Sequence, residues 1–228
     1  MSDAPVVTIL VPVYNGALYV REALDSALAQ DFDGVEVIVV DDGSTDDTAA
    51  IVEATPGVRL LRQENRGPAA ARNAGLEVAR GEFIAFLDAD DRIPPTKLRS
   101  QVGYLQAHAD VGCVLGRHEW IDGAPETLAA DPLHGEEGGI QLVTAVIRKA
   151  LLDEVGGFDE SFRISEDRDL LIRLREHGAT MVVLDDVVLA KRWHDASTTT
   201  TRDRPSDIAR SLKAKLDRQR AQNAGGGS

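Results

Sequence analysis

The chain has 228 residues, enough for one domain with a sizeable core and at most a small appendage. Apolar residues make up 43 %, and 25 basic against 38 acidic side chains leave a formal charge of −13, which argues against general nucleic-acid binding. No apolar run approaches a membrane span, the N-terminus lacks the basic start of a secretory leader, and Cys113 has no second cysteine to pair with, so the expected location is cytoplasmic.

Val6 to Val11 is a β-rich apolar run, broken at Pro12 to Gly16. Ala17 to Gln30 has helical spacing, and Leu18, Ala23, Leu24, Ala27 and Leu28 form its predicted buried face. Val35 to Val40 predicts a second strand. Ser44 then reads as a helix cap, with Asp46 and Asp47 in the first turn. Val58 to Leu61 predicts a third strand, and Gly67-Pro68 opens another helix. Phe83 to Leu87 is apolar on both faces and short, the pattern of a buried strand. The βαβαβαβ rhythm predicts an α/β fold with a mostly parallel sheet flanked by helices.

The second half is less regular. A helix is expected from Pro94-Pro95 to about His108 and a strand from Val111 to Trp120, with Cys113 as a small core residue. The Gly-, Pro- and acid-rich stretch from Asp122 to Gly139 is too long for a simple connection and reads as a mobile functional loop. A strand-like run, Ile140 to Ile147, leads to a short helix over Lys149 to Val155. Ser165 is placed to cap a helix that runs to His177 and stops at Gly178. Met181 to Leu184 is the last predicted strand. From Arg202 to Arg220 there are seven basic and three acidic residues beside a thin apolar stripe of Ile208, Leu212 and Leu216. In so acidic a chain this segment suggests a peripheral membrane contact or a homo-oligomer contact, against the bland alternative of a solvated helix.

The chemistry concentrates at strand ends. Asp88, Asp90 and Asp91 crowd the end of the Phe83 to Leu87 run. Like charges so close need a cation or hydrogen-bond donors between them. In an open α/β sheet that end is where ligands bind, and hard divalent ions such as Mg²⁺ or Mn²⁺ take such oxygens together with phosphates. Asp41 ends the second strand beside this place, where a carboxylate can accept from a base or a ribose. Tyr14 and Asn15 lie in a turn that offers a ring and backbone groups to a flat ligand. Arg66 and Arg72 can pair with phosphate or with the acidic cluster. Glu166 and Asp167 at a helix start fit either a charge–dipole role or a general base. His194 gains interest as a further ligand to a carboxylate-held cation.

Taken in order, VPVYNG, VDDGSTDDT, NRGPAAARNAG, GEFIAFLDADD, VGGFDESF and SEDRDLLIRLREHG resemble the family 2 glycosyltransferases of the GT-A fold, over roughly residues 5 to 200. The resemblance implies an inverting enzyme that takes a nucleotide-diphosphate sugar, most simply UDP-linked, with Mn²⁺ or Mg²⁺. It places Pro12, Tyr14, Asn15 and Asp41 at the nucleoside and Asp88 near the ribose. Arg72 and Ala89 join the donor site. Asp90 and His194 fall to the metal, and Asp167, with Glu166 next to it, to the catalytic base. It also implies a glycosyltransferase domain over residues 1–201, with a nucleotide-sugar half to about 110 and an acceptor half beyond, followed by a basic tail over 202–228. The absence of a QxxRW motif favours transfer of a single sugar over polymer synthesis. The acceptor is left open among a glycan, a lipid-linked glycan, a peptide and a small molecule. A sugar nucleotidyltransferase and a non-catalytic nucleotide-sugar-binding module are the alternatives. The first usually carries a glycine-rich N-terminal loop with a basic residue, which VPVYNG is not.

Overall fold

The computed structural model describes residues 5–121, 141–162 and 165–194, together with Lys213 and Arg218. Seven strands form one sheet: β1 (Val7–Val13), β2 (Val35–Asp41), β3 (Val58–Arg62), β4 (Phe83–Phe86), β5 (Val111–Ile121), β6 (Val146–Arg148) and β7 (Thr180–Arg192). The helices are α1 (Val20–Leu28), α2 (Thr48–Glu53), α3 (Pro68–Val78), α4 (Lys97–Ala107), α5 (Lys149–Val155) and α6 (Glu166–Glu176).

The spatial order is β3-β2-β1-β4-β6-β5-β7. β1 pairs in parallel with both β2 and β4, β2 with β3, and β5 with β7, while β6 runs antiparallel between β4 and β5. The chain thus winds outward from β1 to β3 and then returns to place β4 on the other side of β1. That reversal opens a crevice at the C-terminal ends of β1 and β4, the standard ligand position in such sheets. Among the described residues no helix is long and apolar enough to cross a membrane.

Strand alternation builds two cores, one on each face. Ile9, Val11, Val37, Val39, Phe83 and Ala85 pack with Ala23, Leu24 and Ala27 of α1 and Leu98, Val102 and Leu105 of α4. The residues between them, Leu10, Ile38, Val40, Ile84 and Phe86, pack with Ala69, Ala71 and Leu76 of α3 and Leu170 and Leu174 of α6. This is the expected consequence of a period-2 strand buried on both sides. The small residues of α3 let it approach closely: a Cβ on Gly75 would stand 2.8 Å from Leu10 Cδ2 and 3.3 Å from Val40 Cγ2.

Five local expectations are corrected. α1 starts only at Val20, which takes an inward position, so Leu18 is 84 % and Leu28 43 % exposed. Ser44 does not cap α2; its hydroxyl accepts from the Asn15 amide, and Asp46 Oδ1 receives the Thr48 amide at 3.0 Å. Ser165 precedes α6 with a left-handed backbone and makes no capping hydrogen bond with its side chain. The Ile140 to Ile147 run is not one strand: Leu142–Thr144 is a single 3₁₀ turn and only Val146–Arg148 pairs. The last strand is also far longer than its apolar core. β7 has 13 residues because β5 pairs along it through register shifts, with exposed Asp185 and Asp186 near the shift. Gly116 permits that bulged stretch, since a Cβ there would meet Asp186 O at 2.9 Å. The long segment from Asp122 to Gly139 lies outside the described residues.

Lys97 is the odd member of the core. It is fully buried on α4, with Nζ 3.4 Å from Val143 O. Burial pulls its pKa down to about 7, with neighbouring Cys113 opposing. The Cys113 thiol is itself pushed up to about 12 by burial, which fits an inert core residue. The unfolded chain keeps its lysine protonated to about pH 10.4, so stability rises with pH from about 7 to that value, and the full penalty applies below 7. Lys97→Met is therefore expected to raise the melting temperature most near pH 6, and by progressively less as pH approaches 10. A gain independent of pH would refute a buried ammonium.

Candidate active site

The strand ends deliver the site. The turn after β1 is held by its neighbour after β2: Asn15 Oδ1 accepts from the Thr45 amide at 2.8 Å, and the Gly16 amide donates to Thr48 Oγ1 at 2.9 Å. Asn15 has φ 51°, a left-handed conformation that asparagine tolerates better than most residues. Its side chain is thus engaged in joining the two loops. Tyr14, by contrast, is 54 % exposed at the mouth of the crevice. Pro12 lies opposite Val40 near the end of β1. Ala89 packs close to the turn, 3.6 Å from where a Cβ on Gly16 would be.

Asp41 and Asp42 differ sharply in role. Asp42 Oδ1 accepts from Gln63 Nε2 at 2.7 Å and from the Arg66 amide at 2.9 Å, and its Oδ2 from the Gly67 amide at 2.8 Å. It therefore fixes the entry to α3. Asp41 is completely buried and receives the Ser44 amide on Oδ1 at 2.9 Å. Its Oδ2 stands 3.3 Å from Arg62 Nε, an ion-pair distance, yet accepts no hydrogen bond there. A buried acceptor of that kind suits a ligand N–H.

Arg72 resolves the ambiguity left by its sequence. It is buried on α3, donates from Nη2 to Asp88 Oδ1 at 3.0 Å, and donates from Nη1 to Glu166 Oε1. One guanidinium thus ties the end of β4 to the start of α6. Burial works against its charge, but Asp88, Glu166 and Asp167 outweigh that and strengthen its hold on the proton. Burial pushes the Glu166 pKa up, Arg72 opposes, and Asp167 adds to the rise. Asp167, next to Glu166, is only half-buried; its Oδ1 accepts from the Arg168 amide at 2.7 Å. The two carboxylates therefore divide: Glu166 is committed to Arg72, and Asp167 faces the more open side.

The end of β7 closes the site. His194 Nε2 lies 2.9 Å from Asp90 Oδ2, and the imidazole packs on Tyr19 with ring centroids 5.0 Å apart. Arg192 donates from Nε to Asp90 O at 3.1 Å, and its guanidinium covers the same Tyr19 ring at 4.8 Å. Asp91 is buried, receives the Arg192 amide on Oδ1 at 2.8 Å, and faces Lys191 Nζ at 3.7 Å. Burial pushes the Asp91 pKa up to about 7, Lys191 opposes, and Asp88 and Asp90 add to the rise. Burial also weakens the Lys191 charge, but Asp91, Asp88, Asp90 and Asp167 more than restore it, so the ammonium keeps its proton.

Asp88, Asp90 and Asp91 each place an oxygen within 4.8 Å of the others. These hard carboxylate oxygens form a donor set that fits a divalent cation, and the His194 imidazole meets it at Asp90. Asp91 is already engaged by the Arg192 amide and Lys191, so Asp90 and His194, with Asp88 beside them, are the residues that fit it best. Lys191 and the anchoring role of Asp91 were invisible in the sequence, because β7 could not be followed past Leu184. Asp88, Ala89, Asp90, Arg72, Glu166, Asp167 and His194 are gathered at one place, with Pro12, Tyr14, Asn15 and Asp41 along the adjoining strand ends.

The family model for Glycosyl transferase family 2 matches residues 8–156. The chain belongs to glycosyltransferase family 2. It is 36 % identical over 216 residues to an uncharacterized glycosyltransferase of Rickettsia typhi, across 87 % of this chain and 67 % of that protein. It is 50 % identical over 194 residues to the succinoglycan biosynthesis protein ExoO of Rhizobium meliloti, across 75 % of this chain and 56 % of that one. Among solved structures it resembles S. aureus TarS 1-349 in complex with UDP-GlcNAc, with TM-score 0.72 and 27 % identity, over 86 % of this chain and 60 % of TarS. It also resembles the mannosyltransferase PcManGT from Pyrobaculum calidifontis in complex with GDP-Man and Mn²⁺, with TM-score 0.74 and 26 % identity, over 94 % and 65 % of the two chains. This family 2 chain thus spans about two thirds or less of the length of these proteins, and its mostly parallel sheet flanked by helices is the GT-A arrangement.

Proposed function

We propose that this chain transfers a single sugar from a nucleotide-diphosphate sugar to an acceptor hydroxyl with inversion, in the cytoplasm. The observation that carries the reading is the meeting of Asp90 with His194 and of Asp88 with Arg72 and Glu166 at the switch point of the sheet. A UDP-sugar is the proposed donor, in keeping with the TarS neighbour, although the PcManGT neighbour holds a GDP-sugar. Asp41 would accept from the base through its unsatisfied Oδ2, and exposed Tyr14 would cover the ring. Pro12 and Asn15 shape the floor between them, and Asp88 with Ala89 takes the ribose. Arg72 holds Asp88 in place for that contact.

Asp90 and His194 would hold Mn²⁺ or Mg²⁺, which when bound neutralises charge on the departing diphosphate. Asp167 takes the proton of the acceptor hydroxyl as its oxygen attacks the anomeric carbon from the face opposite the diphosphate. The C–O bond to the diphosphate breaks in the same displacement. No covalent bond to the protein forms.

A panel of nucleotide sugars with and without Mn²⁺ tests this directly. The matching donor with Mn²⁺ is expected to raise the melting temperature, since a ligand that binds only the native state stabilises it by RT ln(1 + [L]/Kd). Incubation should release a nucleoside diphosphate. Stabilisation without any release would indicate a binding module instead.

A further inference from the structure

Arg218 supplies a contact that the donor site does not use. Arg218 donates from Nη1 to Asp169 Oδ1 at 2.9 Å and from Nε to Glu176 Oε2 at 3.2 Å, so it spans both ends of α6. Asp169 is completely buried, and its other oxygen accepts from Arg173 Nε at 2.7 Å. Arg173 in turn donates to Val155 O at 2.9 Å and Gly157 O at 2.7 Å, which ties α6 to the end of α5. A carboxylate wholly removed from water must be paired and hydrogen-bonded. Arg173 satisfies one oxygen of Asp169 from within the helix, and Arg218 satisfies the other from 49 residues away. Asp169 also shares the first turn of α6 with Glu166 and Asp167.

We propose that Arg218 is a positioning residue. It straps the first turn of α6 to its end through Asp169 and Glu176, and so fixes the turn that presents Asp167 to the acceptor. The fork geometry explains the choice of arginine, because a lysine ammonium does not address two carboxylates in fixed directions. The inference rests on Asp167 acting as the base.

The test uses the full chain with Arg218→Ala, Arg218→Lys and, in parallel, Asp167→Asn. Hydrogen exchange over residues 166–176 reads docking, and transfer kinetics read positioning. Arg218→Ala is expected to speed exchange in the first turn of α6 and to lower kcat roughly tenfold, inside the range of up to about 10²-fold for a misplaced catalytic group. The loss should fall more on kcat than on the donor KM, since α6 reaches the nucleotide contacts only through Glu166 and Arg72. Arg218→Lys should recover part of the loss. Unchanged exchange overturns the docking, and faster exchange with kcat intact overturns the positioning role. Should Asp167→Asn transfer normally, the base assignment fails, and with it the catalytic part of this proposal; exchange in Arg218→Ala still decides whether the strap exists.

Discussion

Asp90→Ala is expected to weaken Mn²⁺-dependent binding of the donor by about 10²-fold or more while leaving a folded protein. Asp90 lies at the surface of the crevice rather than in either core, and its carboxylate meets His194 Nε2 at 2.9 Å. The nearby framework does not depend on that carboxylate: Asp91 anchors the Arg192 amide, and Arg192 reaches the backbone oxygen of residue 90, not its side chain. Loss of a supporting residue around a metal costs about 10–100-fold in affinity, so loss of a direct ligand is expected at or beyond the upper end, about 10²-fold. Asp90→Asn sharpens the comparison, because it keeps the size and an oxygen for His194 but removes the charge. Titration of Mn²⁺ in the presence of a nucleoside diphosphate, followed by calorimetry, gives the readout. Excess EDTA should inhibit the unmodified enzyme in parallel. Undiminished Mn²⁺ affinity in Asp90→Ala, or full transfer in EDTA, would overturn the assignment.

The sequence made some parts of this molecule legible and hid others for physical reasons. β1, β2 and β4 were readable because each is a short apolar run closed by turn residues, and burial on both faces needs just such a run. The acidic strand ends were legible for the converse reason: Asp41 and the Asp88 to Asp91 group interrupt apolar runs where no loop composition explains them. β7 was not legible beyond Leu184, since only two of its residues are buried and its pairing with β5 crosses register shifts that leave no periodic trace. With that strand end went Lys191, a cation whose neighbours come from elements far apart in sequence. Arg72 shows the same limit from another side. Its candidate partners were foreseeable by charge, but the choice of Glu166, 94 residues away, is made by tertiary packing. Helix starts were misplaced where a neighbouring loop claimed the capping hydroxyl, as Asn15 claims Ser44.

Asp167→Asn is the prediction that exposes the mechanism most. Three carboxylates stand in the first turn of α6, and Asp167 is the one of them that is not buried. Glu166 is buried and committed to Arg72, and burial raises its pKa although Arg72 opposes the rise. Asp167 is half-buried, lies close enough to Arg72 and Lys191 to strengthen the charge of each, and is held through the Arg168 amide. Asparagine keeps its size but cannot take up the acceptor proton. Transfer is expected to fall by roughly 10²–10⁴-fold, the range for losing general-base help, while donor affinity stays nearly unchanged. A mere charge at a helix start would cost only about 0.3–1 kcal/mol of stability and leave turnover intact. Glu166→Gln should behave differently, because it removes the buried charge paired with Arg72 and leaves Asp88 and Asp167 to balance the guanidinium. That variant should lose stability and donor affinity together, since breaking one side of a buried pair costs on the order of 3–5 kcal/mol. Melting temperature, donor affinity and transfer rate measured on both variants separate the roles. A well-folded Asp167→Asn protein with near-normal transfer would move the base to another carboxylate, with Glu166 next in line despite its bond to Arg72.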